Sequence, residues 1–186
     1  MSETKYADTT ALGLILVAFA LLFFGFIGVL SYVDGSLNAL AFQAGAMGYF
    51  AAILFLLIAV AQFMSGNKFL MVLFGFIAFS FALFSDIYQN VLGNDGFYAF
   101  ILIGVIYLIF ALWAFLAKAG YMLIGILVMA ALAFIMFALA ANADPMATFA
   151  DAEIFFLLMG VFAFIGGILA IYLAIVDTTG LKLPVY

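Results

Sequence analysis

The residues of this chain that could bind a small molecule are few, and three of them, Asp8, Thr9 and Thr10, are consecutive. They directly precede a long apolar run, where Asp and Thr commonly cap the free backbone amides of a starting helix. A helix N-terminus also presents amide donors and the positive end of the helix dipole, so the same segment could bind a carboxylate. Capping and anion binding are both open for this segment.

Two further polar residues lie within apolar runs. Gln62 is near the end of one run and Ser80 is inside the next. Gln62 suits either an interfacial position at a helix end or the wall of a solute pathway. Ser80 suits either a bond back to a carbonyl of its own helix or a contact with a solute. These two side chains are therefore candidates for a pathway that offers amides and hydroxyls.

The amino-acid composition argues against an enzyme. The chain has no histidine, no cysteine and no arginine, which removes the usual general bases, thiol nucleophiles and zinc ligands. It also lacks the HExxH, GxSG and GxGD motifs of intramembrane and metal-dependent hydrolases. We therefore expect no enzymatic activity, no metal and no organic cofactor. Nucleic-acid binding is not expected either, because no basic patch is present.

The composition is that of an integral membrane protein. Of the 186 residues, 72% are hydrophobic and only 7% are charged, which is too little polar surface for a soluble domain. Six runs are long enough, or nearly so, to cross a bilayer as helices. They cover residues 11–30, 40–64, 69–85, 97–117, 121–141 and 154–176. The sequence therefore predicts a single all-α domain, 1–186, built as a bundle of six transmembrane helices.

The few basic residues predict the orientation of this bundle. With six spans, Lys5, Lys68, Lys118 and Lys182 all fall on one side of the membrane, and the other side carries acidic residues. Lysines are enriched in cytoplasmic loops of membrane proteins. Both termini are therefore expected in the cytoplasm, with Lys68 acting mainly as a topology anchor.

A turn between the second and third runs resembles that of a known family. In "SGNKF", Gly66, Asn67 and Phe69 match three residues of the Gly-Asn-Thr-Phe turn found at this place in the acetate uptake transporter family, the succinate-acetate permeases. Gly66 and Asn67 are also residues that can adopt the left-handed backbone of a tight helix-to-helix turn. Family resemblance and local turn chemistry thus coincide in this segment.

Other matches follow in the order expected for this family. The segment "DTTALGL" keeps Leu12, Gly13 and Leu14 of the signature Asn-Pro-Ala-Pro-Leu-Gly-Leu, although Asp8 and Thr9 replace its first residues. The turn "AKAG" and the final-span stretch "AIYLA" are also similar to family members. The resemblance covers essentially the whole chain.

The resemblance implies passage of acetate or a similar small monocarboxylate, by a channel or a proton-linked carrier, in the plasma membrane. The family narrows its pore with residues of the first, third and fifth spans, which by position would be Val17, Ile77 and either Ala130 or Ala133. The residues expected along the substrate pathway are Asp8, Thr9, Leu12, Gly13, Leu14, Val17, Gln62, Ser80 and Ile77.

Self-association is a further expectation. Small residues recur at intervals of four on the second and sixth runs, which lets another helix approach closely. They are Ala41 and Gly45, then Ala44, Gly48 and Ala52, then Ala163 and Gly167. Packing within one chain would explain them equally well, whereas the family resemblance implies a hexameric ring.

Two alternative functions are compatible with the same residues. A six-span channel for small neutral solutes such as urea or amides would also have an uncharged interior. A non-transporting accessory membrane subunit would need no reactive residue at all.

Labelling of single cysteines tests the topology, and the chain has no native cysteine to interfere. Asn67→Cys and Ala119→Cys should react only with an impermeant thiol reagent applied from the cytoplasmic side. Asn94→Cys and Thr148→Cys should react only from the opposite side. Labelling of Asn94→Cys from the cytoplasm would contradict the six-span arrangement.

Overall fold

Six helices make up the described part of the protein. The computed structural model describes residues 9–34, 37–90, 94–143 and 153–179. The helices are α1 (Thr10–Asp34), α2 (Leu37–Met64), α3 (Lys68–Asn90), α4 (Asn94–Leu116), α5 (Tyr121–Ala143) and α6 (Glu153–Thr179). The prediction of an all-α bundle of six helices is confirmed. Asp8, Lys5 and Lys182 lie outside the described residues.

The connection between α2 and α3 is a tight turn. Gly66 has a φ of 81°, and its N–H donates to the Phe63 carbonyl at 3.1 Å while the Asn67 N–H donates to the Gln62 carbonyl at 3.0 Å. This pair of bonds is a Schellman motif, which a residue with positive φ closes. Asn67 does not share the left-handed conformation. Its side-chain oxygen instead accepts the Leu70 N–H at 3.1 Å and so caps the start of α3.

The connection between α4 and α5 repeats this geometry with a less suitable residue. The Lys118 N–H donates to the Phe115 carbonyl at 3.0 Å, and the Ala119 N–H donates to the Ala114 carbonyl at 2.9 Å. Lys118 itself takes the left-handed position, with a φ of 56°. A side chain is disfavoured in this conformation, and glycine is the usual residue there.

The helices form a ring in the order α1, α6, α5, α4, α3 and α2. Extensive packing joins α1 to α6, α6 to α5, α5 to α4, and α3 to α2. Contacts between α3 and α4, and between α1 and α2, are much sparser. The ring therefore has two well-packed parts, the α2–α3 hairpin and the remaining four helices.

The close approach of α1 and α6 depends on glycine. A Cβ atom at Gly28 would lie 2.5 Å from the carbonyl oxygen of Phe156 and 2.7 Å from the Cα of Gly160. A Cβ at Gly160 would lie 2.9 Å from the Gly25 carbonyl oxygen. Backbone atoms of a helix cannot move aside, so a side chain at either position would push the helices apart. Close backbone contact of this kind is how helices associate in lipid, where hydrophobic burial gives little driving force.

The small residues of α6 pack within the chain. Ala163 is fully buried, and a Cβ at Gly167 would lie 2.8 Å from the Cγ of Leu22 and 3.2 Å from the Ala18 carbonyl oxygen. Of the two explanations for this spacing, packing inside one protomer is the one observed for α6. Ala41, Ala44 and Gly45 of α2 lie outside the described side chains.

The outer surface is apolar, as lipid contact requires. By length and composition, Thr10–Leu30, Phe97–Leu116, Tyr121–Ala140 and Ile154–Thr179 could each cross a membrane, and the described apolar parts of α2 and α3 are shorter. Large apolar side chains cover the outward faces, such as Phe50 at 65% exposure and Leu116 at 71%. Water would oppose so large an apolar surface, so the chain is a multi-pass membrane protein.

Alanine substitution tests the glycine contact. Gly28→Ala should lower the free energy of unfolding by about 2 kcal/mol, because the methyl group overpacks two backbones. Gly75→Ala is the matched control, since its Cβ would meet only the Ala59 methyl carbon at 4.0 Å and it removes a flexible glycine from a helix. Unfolding measured in detergent should show a lower free energy of unfolding for Gly28→Ala and no decrease for Gly75→Ala. Equal stability of the two variants would contradict the packing described here.

Candidate functional site

A cavity of about 90 Å³ occupies the centre of the ring. We call it the central cavity. Its walls are one face each of α1, α3 and α5, with one residue each from α4 and α6. It is lined by Thr10, Leu14, Val17, Ala20, Leu21, Phe24, Leu70, Leu73, Phe74, Ile77, Phe81, Tyr107, Leu123, Ile126, Leu127, Ala130, Phe134 and Leu173. From Thr10 to Phe24 along α1 the cavity wall extends about 20 Å.

The lining is almost entirely apolar. Among the described residues around the cavity, only Thr10 and Tyr107 carry a polar side-chain group, and none is acidic or basic. An isolated ion in such surroundings loses its hydration without compensation, which costs many kcal/mol. The central cavity therefore suits a small neutral molecule far better than a bare ion.

Several residues predicted from the sequence border this cavity. Val17 on α1 and Ile77 on α3 both line it, as does Ala130 on α5, whereas Ala133 lines a smaller cavity beyond it. Leu14 also contributes to the wall, but Leu12 does not and is 53% exposed. The structure thus brings Val17, Ile77 and Ala130 around one space; that they narrow a pore stays a prediction.

Gly13 shapes the wall without lining it. A Cβ at this position would lie 2.6 Å from the Cε1 atom of Phe74, so the absence of a side chain leaves room for the Phe74 ring against α1. Phe74 is buried and lines the central cavity. Gly13 therefore makes room for the Phe74 ring between α1 and α3 near the cavity mouth.

A cluster of polar side chains lies at the mouth of the cavity, where α1 begins. The Nε2 of Gln62 donates to the hydroxyl oxygens of Thr9 at 3.0 Å and Thr10 at 3.2 Å. The Ser65 hydroxyl donates to the Gln62 carbonyl at 2.9 Å. Gln62 is only 1% exposed, so it is a buried tie between the end of α2 and the start of α1 and not an interfacial residue.

Thr9 occupies the N-cap position of α1. It immediately precedes the helix, and its carbonyl accepts the Gly13 N–H at 3.0 Å as the first bond of the helix. The first amides of α1 and the Thr10 side chain thus lie at the mouth of an apolar cavity, where a helix dipole favours negative charge. This geometry allows both the capping and the carboxylate-binding interpretations.

Ser80 lies behind the cavity wall. It is fully buried, and its hydroxyl donates to the Phe76 carbonyl at 2.8 Å. Its side chain also hydrogen-bonds that of Tyr107. Since the serine proton is used in the bond to Phe76, the Tyr107 hydroxyl donates to Ser80. Ser80 does not line the central cavity, and this bond links α3 to α4 where their packing is sparse.

The third residue of the turn motif also supports this α3–α4 contact. The Phe69 ring meets the Trp113 ring edge-on, with centroids 5.0 Å apart. Gly66 and Asn67 close and cap the turn as described above. The motif turn therefore sets the geometry of α3, one wall of the cavity, without lining it.

Sequence reasoning missed the residues that close the inner end of the cavity. Phe24, Phe81 and Phe134 come from α1, α3 and α5, and their rings are in contact around Phe24, with centroids 5.7 Å from Phe81 and 6.2 Å from Phe134. The helical register carried the necessary signal. Phe24 is two turns beyond Val17, and Phe81 is one turn beyond Ile77, on the same helix faces.

A double-mutant cycle tests the tie at the cavity mouth. Gln62→Leu and Thr9→Val each remove one side of the bond with little change in volume, and their effects on unfolding should not add. Interhelical hydrogen bonds in membrane proteins give coupling energies of about 0.6 kcal/mol on average and rarely above about 1.7 kcal/mol. We expect a coupling in this range from unfolding in detergent. Strictly additive effects would mean that the bond contributes nothing to the docking of α1.

Comparison with solved structures shows a likeness over nearly the whole chain. A solved structure described as that of the bacterial acetate channel SatP is similar to this chain with a TM-score of 0.71 at 19% sequence identity. The alignment covers 97% of this chain and 99% of that chain. No protein-family model and no curated protein sequence matches. The chain therefore has, over nearly its whole length, the fold of an acetate channel.

Proposed function

We propose that this protein passes acetate or a similar small monocarboxylate across the membrane. The observation that carries the proposal is the shared fold, because the likeness to the bacterial acetate channel extends over 97% of this chain. Of the signature residues that resemble the acetate uptake transporter family, Leu14 lines the central cavity and Gly13 leaves room for the Phe74 ring of its wall, which supports the same function.

The mouth of the cavity suits a carboxylate. Thr9, Thr10 and the first amides of α1 offer hydrogen-bond donors, and the helix dipole adds a positive potential. Gln62 orients the two threonine hydroxyls by donating to their oxygens. In this proposal a carboxylate first binds here, where water still reaches it. Asp8, which precedes this segment, is proposed to affect apparent affinity modestly.

The apolar wall beyond the mouth favours the protonated acid. Taking a bare carboxylate past Val17, Ile77 and Phe24 would cost several kcal/mol or more, since no cation or dense set of donors lies along this wall in the described residues. A neutral carboxylic acid avoids most of this cost. We propose that the substrate picks up its own proton before it passes the apolar part, so that no protein carboxyl group is needed as a proton carrier.

The second candidate function is a channel for small neutral solutes. The observation that favours it is the uncharged wall of the central cavity. Urea or a small amide could cross the same wall without a change of protonation. The polar cluster at the mouth is equally able to bind an amide, so only transport measurements separate the two.

The assembly and location follow from the same proposal. We propose a hexameric ring with one pathway in each protomer, in the plasma membrane, with both termini cytoplasmic. The broad apolar face of α2, which includes Phe50, Ile53 and Leu57, is exposed in the single chain and could contact either lipid or a second copy. Cross-linking in native membranes would determine the number of subunits.

Uptake into liposomes tests the proposed function. Vesicles with the purified full-length protein should take up labelled acetate faster than protein-free vesicles, and protein-dependent uptake of urea and succinate should be small. Uptake of urea alone would favour the neutral-solute channel. No protein-dependent flux of any of the three solutes would favour an accessory subunit.

The same assay predicts a pH dependence. At a fixed total concentration, the neutral acid increases about tenfold for each unit by which the external pH falls, as long as the pH stays well above the pKa of the acid. Protein-dependent acetate uptake should therefore increase as the external pH falls, and an imposed membrane potential should leave the rate unchanged. Asp8→Asn should keep this trend. Loss of the pH dependence in Asp8→Asn would make Asp8 the proton carrier, contrary to the proposal.

A further inference from the structure

The ring of Phe24 borders three separate spaces. One is the central cavity, the second is a crevice of about 240 Å³ between α1, α2 and α3, and the third is a space of about 20 Å³ farther along the bundle. Of the described residues, Phe24 alone lines all three. A change in the position of this one ring would therefore change which spaces connect.

In the present arrangement the ring closes the inner end of the central cavity. Its centroid lies 4.8 Å from that of Phe84, 5.7 Å from that of Phe81 and 6.2 Å from that of Phe134. Aromatic rings at such distances are in direct contact, so Phe24 fills the space beside each of these three rings. This layer of rings lies about 10 Å beyond Val17 along α1. The layer of rings is thus an obstruction to a solute that has entered the cavity.

The neighbours of Phe24 are more deeply buried than Phe24 itself. Phe81 stacks on Phe55 at 5.5 Å, and Phe134 stacks on Tyr107 at 5.5 Å with an interplanar angle of 11°. Phe84, Phe81 and Phe134 are all buried, whereas Phe24 is half-buried and has the crevice beside it. Phe24 is therefore the ring with space to rotate into.

We propose that Phe24 is the residue that sets which solutes pass, by the width of the carbon group that they carry. Rotation of its ring toward the crevice joins the central cavity to the small space beyond it, and the fixed rings of Phe81 and Phe134 limit the opening. The filter acts on width, because an apolar ring offers nothing to recognise in a carboxyl group. This inference rests on the proposed function, since it requires that a solute crosses by this route.

Carboxylic acids of increasing width test the filter. Acetate, isobutyrate and pivalate carry the same carboxyl group on a progressively wider carbon, and each is measured in liposomes with the full-length protein after subtraction of the flux into protein-free vesicles. In Phe24→Ala the ratio of pivalate to acetate uptake should rise roughly tenfold or more, since a pocket discriminates one methylene group by about that factor. Phe24→Leu should give an intermediate ratio and keeps most of the apolar volume, so it decides the question if the alanine variant does not fold.

Phe26→Ala is the matched control. Phe26 is on the same helix, is 59% exposed and lines none of the three spaces, so its removal should leave the ratio of pivalate to acetate unchanged. An unchanged ratio in Phe24→Leu, with normal acetate uptake, would overturn the role of Phe24 while leaving acetate passage intact. An absence of acetate uptake by the unaltered protein would instead overturn the proposed function, and the filter with it.

Discussion

The ring of helices closes because the first helix meets the last at glycine. Gly28 and Gly160 bring the backbones of α1 and α6 to a distance at which no side chain fits between them. Lipid is as apolar as the surface of a helix, so burying apolar side chains between helices gives little free energy. Close van der Waals contact of the two backbones is therefore the main source of attraction. The position of α1 follows from it, and so does the central cavity, because α1 supplies the wall from Thr10 to Phe24.

The number and class of the elements could be predicted from the sequence. A bilayer leaves a backbone no partner except itself, so apolar runs of sufficient length must be helices. The turn at Gly66 was equally readable, because its chemistry is local. Asn67 does belong to this turn, but it contributes a side-chain cap of α3 and not the left-handed backbone that the sequence allowed. The pairing of α1 with α6 was not predicted, because it depends on which glycines of distant segments face each other.

The inward faces were harder to predict for a related reason. In a soluble helix the polar face marks the outside, but here phenylalanine occurs on every face, lipid being as apolar as the protein interior. Val17 and Ile77 were placed at the cavity only by resemblance to a family, and Phe24 was missed although it lies on the same face as Val17. The hydrogen bonds of Gln62 could not be predicted, because its partners, Thr9 and Thr10, are more than 50 positions away in the chain.

At Lys118 the conformation of the folded protein and the expected role of a lysine in membrane insertion favour different residues. In the finished bundle, its left-handed backbone costs on the order of 1 kcal/mol that glycine would avoid. If the lysines mark the cytoplasmic side, as the sequence predicts, the charge of Lys118 acts much earlier, during insertion of the hairpin of α4 and α5 into the membrane. A residue chosen for the biosynthesis of the hairpin can thus persist at a position where it weakens the mature fold. Replacement of Lys118 with glycine would raise the stability of the folded bundle and would also remove a charge that helps to orient the helices during insertion.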